Sequence, residues 1–283
     1  MRARAPASAA NLGPGYDVLA VALARYIEVE VEPAASLSIE AHGEGADLGA
    51  GHDHLAARVV ADVLGHDRVR IVIASDIPVG RGLGSSAALA VATAAAAGAG
   101  DPLAIGAHHD GHCENAAASV HGGLVAAAFV DGRPTARRLA LDGALRFVLV
   151  IPEHQLPTKA ARAVLPASLP LDDAVFNLGR LGLLIAGMAD RKGLLAAAGD
   201  DRLHQVPRAA QFPEAADLLA ALRRGGATVA CWSGAGPSLL GICDGDDLAE
   251  SARRAAAGAL ADLGLKGEAL VVDVDQDGLV LGS

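Results

Sequence analysis

The chain has few aromatic side chains and an excess of acidic over basic residues, and both features limit the classes of partner that it can bind. Only 7 of the 283 residues are aromatic (1 Trp, 2 Tyr and 4 Phe), and 33 acidic residues against 23 basic ones give a formal net charge of −10. A nucleic-acid-binding protein needs a basic surface and often aromatic stacking platforms, which this composition does not offer. The negative charge also disfavours docking on an anionic membrane. We therefore expect neither nucleic acid nor membrane among its partners.

Cysteines and long apolar runs are also scarce. Cys113, Cys231 and Cys243 are too few and too scattered for a disulfide framework, and no Cys-x-x-Cys pair suggests structural zinc. No apolar run reaches the ~18 residues of a membrane helix. The first residues lack the apolar segment of a secretion signal. These absences lead us to expect a cytoplasmic protein with reduced thiols.

Short strand-like runs alternate with longer helical ones, which predicts a mixed α and β protein. Residues 26–32 alternate apolar and acidic side chains, as in a strand with one wet face. Further strands are predicted at 69–73, 123–130, 146–151, 228–232, 238–243 and 268–274, and helices at 54–64, 87–97, 172–198, 214–223 and 246–263. After Pro152 the sequence becomes richer in proline, so we expect a domain boundary near that residue.

The most informative segment is the glycine-rich run at residues 77–88, between a predicted strand and a predicted helix. A helix N-terminus offers unpaired N–H groups and the positive end of a dipole to an anion. Glycines at alternate positions would let backbone amides close around phosphate oxygens. Ser85 and Ser86 can donate to phosphate, and one hydroxyl can ligate Mg²⁺. The structural alternative is a glycine-rich turn with a serine cap. The spacing fits neither a Walker A loop nor a dinucleotide-binding fingerprint.

Two other turns hold features suited to a small ligand. Asn11 and Asp17 flank a Gly-Pro-Gly turn, where they can orient a polar substrate or cap the turn itself. Residues 232–238 form a second glycine-rich loop between two predicted strands. That loop can approach a ligand or simply close a hairpin. Neither turn specifies a function by itself.

Together the three segments resemble the sequence motifs of the GHMP kinase superfamily, in the same order and across the whole chain. The central signature, Pro-x-x-x-Gly-Leu-Gly-Ser-Ser-Ala, is highly specific, and here it spans residues 78–87. Within the superfamily the chain is most similar to the homoserine kinases, whose characteristic opening matches residues 9–17. The stretches 111–115, 158–166 and 201–208 also resemble segments of that family.

The resemblance implies ATP-dependent phosphorylation of the side-chain hydroxyl of L-homoserine, giving O-phospho-L-homoserine for threonine biosynthesis. It implies an α+β, two-lobed GHMP kinase fold with ATP and substrate in the cleft between the lobes. Residues 1–152 would form the ATP-binding lobe, similar to domain 2 of ribosomal protein S5. Residues 153–283 would form a ferredoxin-like C-terminal lobe. Mg²⁺ would accompany ATP, and the resemblance allows a homodimer.

The resemblance also assigns site residues, position by position. The residues expected to hold homoserine are Asn11, Asp17, His112, Asn115, Arg162 and Arg208. Three of these, Asn11, Asn115 and Arg162, are the expected catalytic residues. The residues expected to bind the nucleotide are Pro78, Gly80, Arg81, Gly82, Leu83, Gly84, Ser85 and Ser86. Ser86 and Asp110 would coordinate Mg²⁺. Asp17 would pair with the α-ammonium group, and an arginine would bind the α-carboxylate bidentately.

Some positions depart from the family pattern. Asp110 stands where relatives have glutamate, so its shorter side chain points to coordination of Mg²⁺ through water. Glu114 stands where relatives have aspartate, and Cys113 where they often have proline. The histidines near Asp110 suggest a zinc site, but only His108 and His112 have i, i+4 spacing, and a solvated turn is the favoured interpretation.

Two other functions stay open at this point. One is a GHMP-family kinase for a different small alcohol, of the mevalonate, shikimate or pantoate type. The other is a non-catalytic nucleotide-binding homologue, suggested only by the exchanges at Asp110 and Glu114. The resemblance implies no obligatory carboxylate base, because phosphoryl transfer depends more on positioning and charge neutralisation than on a strong base.

Overall fold

A computed structural model describes residues 1–282 as two β-sheets with helices packed on them. The strands are β1 (Arg2–Asn11), β2 (Gly15–Pro33), β3 (Ser38–Gly43), β4 (Val69–Ser75), β5 (Leu124–Val130), β6 (Arg133–Arg138), β7 (Leu145–Pro152), β8 (Val229–Trp232), β9 (Leu239–Asp244), β10 (Gly267–Val272) and β11 (Val280–Gly282). The helices are α1 (Leu55–Leu64), α2 (Ser85–Ala96), α3 (Pro102–Asp110), α4 (Glu114–His121), α5 (Thr158–Ala163), α6 (Leu171–Ala189), α7 (Gln205–Ala209), α8 (Ala215–Arg224) and α9 (Asp246–Asp262). Within this range no helix combines the length and the apolar character needed to span a membrane.

The first sheet is organised around the long strand β2. Its strand order is β11-β1-β2-β4-β3, and the β5–β6 hairpin joins it through a pairing of β5 with β2. The first part of β2 pairs with β5, whereas its second part pairs with β4. The predicted alternation is confirmed, since Ile27, Val29 and Val31 are buried and the glutamates between them are more exposed.

Helix α2 lies at the centre of the N-terminal part of the molecule. It contacts β1 and β2 as well as the helices α1, α3 and α4. Nine of its twelve residues are buried, and all but two of these nine are alanines. Small side chains let the surrounding elements approach closely, and a helix that is apolar all round belongs in a core. The scarcity of aromatic residues is thus accommodated by close packing of alanine, valine and leucine.

The second sheet has the order β10-β7-β9-β8, with every neighbouring pair antiparallel. Helices α8 and α9 pack against it. A β-α-β-β-α-β connection with this strand order is the ferredoxin-like arrangement, which confirms the expectation for the C-terminal lobe. Its other face shares a hydrophobic core with the first sheet, because Phe147, Leu149 and Leu240 belong to the same cluster as Leu19 and Val29.

The boundary expected near residue 152 falls at the end of β7, which is the first strand of the ferredoxin-like unit. The chain also returns to the first sheet at its end, where β11 pairs with β1. On this topology we propose that the C-terminal lobe begins near Leu145 and that β11 belongs to the N-terminal lobe.

The helix predicted over residues 172–198 is shorter in the structure. Helix α6 ends at Ala189, and two 3-10 turns follow at Arg191–Gly193 and Ala196–Gly199. The Asp190 side chain accepts a hydrogen bond from the backbone N–H of Lys192, which caps the first of these turns. A local aspartate cap therefore competes with continuation of the helix.

Enlarging a buried alanine of α2 tests the importance of close packing around this helix. We expect Ala92→Leu to lower the free energy of unfolding by about 1–3 kcal/mol, because the side chain at position 92 is fully buried and has no space to grow. Denaturant unfolding measures the change. Ala61→Leu, at an exposed position of α1, is the control and should stay within about 0.5 kcal/mol of the original chain. Equal effects of the two changes would contradict the packing account.

Candidate active site

A cleft of about 760 Å³ brings together residues from both sheets' loops. All of the residues that the sequence assigned to substrate, nucleotide or metal line it: Asn11, Asp17, Pro78, Gly80, Arg81, Gly82, Leu83, Gly84, Ser85, Ser86, Asp110, His112, Asn115, Arg162 and Arg208. They come from stretches separated by almost 200 residues in the sequence. The structure therefore places them in one site, and their individual roles stay predictions.

The glycine-rich loop connects β4 to the N-terminus of α2. Gly80, Gly82 and Gly84 all have φ near +70°, a conformation that L side chains rarely adopt. A Cβ atom at Gly82 would overlap the carbonyl oxygen of Ser233, and one at Gly84 would overlap the Ser8 hydroxyl. At two of the three positions, then, glycine is required by contacts with the protein itself. This adds a packing reason to the expected one, which was close approach to phosphate.

The N-terminus of α2 faces the cleft without a capping side chain. Gly84 is the N-cap residue, no side chain accepts from the first-turn amides, and no acidic residue lies in the first turn. The alternative of a serine-capped turn is therefore wrong. The uncapped N–H groups and the helix dipole create a site that favours an anion such as phosphate.

Ser86 and Asp110, the pair expected at a metal ion, lie next to each other. Asp110 is the last residue of α3, Ser86 lies in the first turn of α2, and both residues line the cleft. Burial raises the pKa of Asp110, while the positive charge of His112 opposes that change. A hydroxyl and a carboxylate are oxygen donors of the type that Mg²⁺ prefers, with water and phosphate completing its shell. The donor set thus fits a Mg²⁺ ion bound together with a nucleotide.

The neighbouring histidines do not form a metal centre. The His109 imidazole Nε2 lies 2.9 Å from a carboxylate oxygen of Asp62, away from His112. Within residues 1–282 no group of three or more His, Cys, Asp or Glu side chains is arranged to hold a metal ion. His108 and His109 lie on helix α3, and the side chains of His109 and His112 are only 7 % and 12 % exposed, so the expectation of a solvated turn is wrong for these residues.

Asn11 fastens the first turn of the chain to the second glycine-rich loop. Its side-chain amide donates to the carbonyl oxygen of Gly234 over 2.7 Å, and its Oδ1 accepts from the backbone N–H of Asp17 over 3.0 Å. Both Asn11 and Asp17 have positive φ, at 71° and 55°. These bonds make Asn11 a positioning residue in this structure, and its expected catalytic part stays a prediction.

Asp17 and Arg162, expected at opposite ends of the substrate, contact each other. The guanidinium group of Arg162 donates to both carboxylate oxygens of Asp17, over 2.6 and 2.9 Å. It also donates to the Tyr16 hydroxyl over 2.8 Å. Planar bidentate pairing is the strongest form of an Arg–carboxylate contact. The cleft therefore contains a compact pair of opposite charges at the place where an amino acid would present its own pair.

Arg208 is a buried cation without an anionic partner. Its side chain is only 1 % exposed, and its guanidinium group donates to the carbonyl oxygens of Ala161 and Gly234 and to the His204 ring nitrogen Nδ1. Among the ion pairs of residues 1–282, none includes Arg208. Burying a charge without a counter-charge is costly, and burial accordingly lowers the pKa of Arg208. A carboxylate ligand would compensate this charge.

His204 holds Arg208 in place as a neutral acceptor. Its Nε2 lies 2.8 Å from the carbonyl oxygen of Gly13, so Nε2 carries the proton and Nδ1 accepts from Arg208. Burial lowers the pKa of His204 to about 4, which keeps the ring uncharged at neutral pH. The Asp201 carboxylate accepts the backbone N–H groups of His204 and Gln205 and so fixes the start of α7.

Glu114 is a site residue that the sequence assignment did not include. It is 1 % exposed and lines the cleft, and its Oε1 lies 3.0 Å from His112 Nδ1 and accepts from Asn115 Nδ2 over 3.1 Å. Its other oxygen has no partner. Burial alone would lower the pKa of His112, but Glu114 and Asp110 raise it above its usual value. The position of Glu114 inside the matched stretch 111–115 was the signal that could have identified it.

Comparisons with known proteins agree with this arrangement. Residues 53–132 match the family model described as GHMP kinases N terminal domain, and residues 179–262 match the one described as GHMP kinases C terminal. A homoserine kinase from Moorella thermoacetica is 37% identical over 257 residues, covering 86% of this chain and 87% of the relative.

Solved structures show the same fold. A homoserine kinase from Cytophaga hutchinsonii superposes with a TM-score of 0.87 at 24% identity, covering 99% of this chain and 96% of that one. A putative homoserine kinase from Listeria monocytogenes gives a TM-score of 0.77 at 28% identity, covering 99% and 98%. Sequence identity over most of both chains, rather than the shared fold alone, decides the classification: the chain belongs to the homoserine kinase family of the GHMP kinases.

Proposed function

We propose that the protein transfers the γ-phosphoryl group of ATP to the side-chain hydroxyl of L-homoserine, giving O-phospho-L-homoserine. The observation that carries the proposal is the unpaired, buried Arg208 cation in the same cleft as the Asp17–Arg162 pair and the uncapped N-terminus of α2. One end of the cleft suits an amino acid, and the other suits phosphate. The homoserine kinases among its relatives support the same substrate.

The charges in the cleft favour a zwitterion over other small alcohols. An amino acid can replace both partners of the Asp17–Arg162 pair at once, since its ammonium group binds Asp17 and its carboxylate binds Arg162 or Arg208. Hydroxy acids of the mevalonate, shikimate or pantoate type carry no ammonium group, so when their carboxylate takes Arg162 away from Asp17 they leave Asp17 without a cation. An unpaired carboxylate in a partly buried site costs free energy, so these acids are disfavoured.

The phosphates of ATP would lie against the backbone amides of the loop that ends at Gly84 and of the first turn of α2. Ser86 and Asp110 would hold Mg²⁺, and Mg²⁺, when bound, neutralises charge on the phosphates. Asn115 lies close to Gly84, since a Cβ atom at Gly84 would be 3.0 Å from Asn115 Oδ1. Asn115 therefore borders both the phosphate loop and the amino-acid end and can orient the substrate hydroxyl.

We further propose that the protein acts in the cytoplasm and forms a homodimer. The three cysteines are free and buried, and burial raises the pKa of each thiol, which suits an environment that keeps thiols reduced. Helix α6 offers an apolar surface for a second copy, since Leu171, Val175 and Leu178 are exposed.

A substrate panel tests the reaction itself. We expect ADP release to be at least about 100-fold more efficient, by kcat/KM, with L-homoserine than with 4-hydroxybutyrate, which has the carboxylate and the hydroxyl group of homoserine but lacks its ammonium group. Mevalonate, shikimate and pantoate should give no turnover above background. In Asp17→Asn the preference for homoserine should shrink at least tenfold. Preferred turnover of one of the other acids, or ATP binding without turnover of any substrate, would refute the proposal.

The unpaired cation is tested by Arg208→Lys. Lysine keeps the charge, but its compact ammonium group lacks the planar fork that lets the guanidinium group reach three separate acceptors, so we expect the KM for homoserine to rise about 100-fold or more. The KM for ATP should change less than about threefold, because the phosphate end of the cleft is untouched. Steady-state kinetics with each substrate varied in turn measures both. Arg224→Lys, at an exposed position of α8, is the control and should behave as the original chain. Equal rises in the two KM values would contradict the assignment.

The neutral state of His204 predicts a pH dependence of stability. Its pKa is about 4 in the folded chain and 6.5 as the reference value, so the unfolded chain takes up a proton that the folded chain does not. The free energy of unfolding should therefore be highest above pH 6.5 with respect to this group and decrease as the pH falls from 6.5 to 4. Urea unfolding at a series of pH values measures this slope. His204→Gln should flatten it, whereas His66→Gln, on the surface, should not. Identical slopes in all three proteins would show that His204 is not the buried group responsible.

A further inference from the structure

Tyr16 is an aromatic residue in contact with both arginines of the amino-acid end of the cleft. The guanidinium carbon Cζ of Arg162 lies over the Tyr16 ring, 5.5 Å from the ring centroid, and Cζ of Arg208 lies over the same ring at 5.5 Å. A cation within about 6 Å of a ring centroid is attracted by the electron-rich face of the ring. Two cations from different helices, α5 and α7, therefore share one aromatic ring of β2.

Further contacts fix the Tyr16 side chain. Its hydroxyl accepts a hydrogen bond from Arg162 over 2.8 Å, and the centroid of the His204 ring lies 5.3 Å from that of Tyr16. Since His204 Nδ1 accepts from Arg208, Tyr16 touches the support of that arginine as well as the arginine itself. Burial raises the pKa of Tyr16, which keeps the phenol uncharged at neutral pH. The ring is thus a neutral element shared by all three side chains.

Arg162 and Arg208 are like charges that line the same cleft. Asp17 opposes only the charge of Arg162, and Arg208 has no anionic partner among residues 1–282. A carboxylate of the protein beside Arg208 would repel the carboxylate of the substrate and compete for the same donors. The face of an aromatic ring attracts a cation without carrying a net charge. It therefore stabilises these arginines and leaves them free to bind an anion.

We propose that Tyr16 is a positioning residue, whose aromatic ring holds Arg162 and Arg208 in place for the α-carboxylate of the substrate. The inference rests on the proposed function, because it requires an amino-acid substrate. It adds a specificity determinant to that function, since the ring takes the place of a counter-anion that would exclude the substrate carboxylate. The effect should appear in the affinity for homoserine and not in the affinity for ATP.

Tyr16 matters most when Arg162 changes its partner. In this structure Arg162 donates to both carboxylate oxygens of Asp17. When the ammonium group of an amino acid binds Asp17, the guanidinium group of Arg162 gives up those two bonds. Its contacts with the hydroxyl and the ring of Tyr16 do not involve Asp17, so they persist during the exchange. Tyr16 therefore keeps Arg162 within reach of the incoming carboxylate.

Two substitutions of Tyr16 separate the ring from the hydroxyl. Tyr16→Leu removes the aromatic face, so we expect the KM for L-homoserine to rise at least about 30-fold. Tyr16→Phe keeps the face and loses only the hydroxyl, so its KM for homoserine should rise less than about fivefold. In both variants the KM for ATP should change less than about threefold, and kcat less than about fivefold, because the phosphate end is untouched. Steady-state kinetics with each substrate varied in turn measures these values.

Tyr26→Leu is the matched control. Tyr26 is the other tyrosine of the chain, and Cζ of Arg4 lies over its ring, 4.4 Å from the centroid. It does not line the cleft. Its replacement therefore removes a comparable contact between a ring and a cation, and urea unfolding measures the loss of stability in both leucine variants. The two KM values of Tyr26→Leu should stay within about threefold of those of the original chain.

A series of fluorinated rings separates the electrostatics of the ring from its shape. Fluorine withdraws electron density from the ring face and so weakens its attraction for a cation, whereas the shape changes little. Starting from Tyr16→Phe, phenylalanines with increasing numbers of ring fluorines at position 16 should raise the KM for homoserine stepwise, to about tenfold in total. Every member of the series keeps a ring, so the test holds even where Tyr16→Leu fails to fold.

Three results would overturn the role of the Tyr16 ring. Equal rises in the KM for homoserine in Tyr16→Phe and Tyr16→Leu would show that the hydroxyl holds the arginines. Equal rises in the KM for homoserine and for ATP in Tyr16→Leu would show a general loss of structure. A KM for homoserine that stays constant across the fluorinated series would show that the ring acts through its shape alone.

Failure of the proposed function gives a different result. An original chain that neither binds nor phosphorylates L-homoserine would remove the substrate, and the role of Tyr16 would fall with it. An original chain that phosphorylates homoserine, with a KM that Tyr16→Leu leaves unchanged, would overturn the role of Tyr16 and leave the reaction standing.

Discussion

The site depends on a cation that the protein buries without an anion of its own. Arg208 is held only by neutral acceptors, namely two carbonyl oxygens and the ring nitrogen of His204. Each acceptor belongs to a different part of the chain: Ala161 to α5, Gly234 to the second glycine-rich loop, and His204 to the turn before α7. Through Gly13, His204 also reaches the first turn. Fixing one guanidinium group therefore fixes the relative positions of four segments.

The three glycine-rich segments are also joined to one another by direct hydrogen bonds. Ser233 Oγ donates to the carbonyl oxygen of Gly82, and the backbone N–H of Ser8 donates to that of Leu83. The side chain of Asn11 joins the first turn to the second glycine-rich loop, because it donates to the carbonyl oxygen of Gly234. The phosphate loop is thus held on both sides by the other two turns, which explains why its glycines contact protein as well as the cleft. A change in any of the three segments would move the amides that are meant to bind phosphate.

Local patterns in the sequence predicted the parts of the fold that local physics decides. The alternation at residues 26–32 and the helix ended by Gly65 are examples, since each follows from periodicity or from a backbone requirement of glycine. Strand β1 was not predicted, because half of its residues are alanine and the segment becomes a strand only by pairing with β2. Likewise β11 exists only by pairing with β1, nearly 280 residues away in the sequence.

The sequence identified the residues of the candidate site but not their arrangement in space. The resemblance to a family supplied the residues, whereas contacts such as Asp17 with Arg162, or the isolation of Arg208 from any carboxylate, arise from tertiary packing. Glu114 was noted only as a departure from the family pattern, and its burial beside His112 shows that it belongs to the electrostatics of the site. The exposed apolar face of α6 was equally hidden, since its period is that of any buried helix.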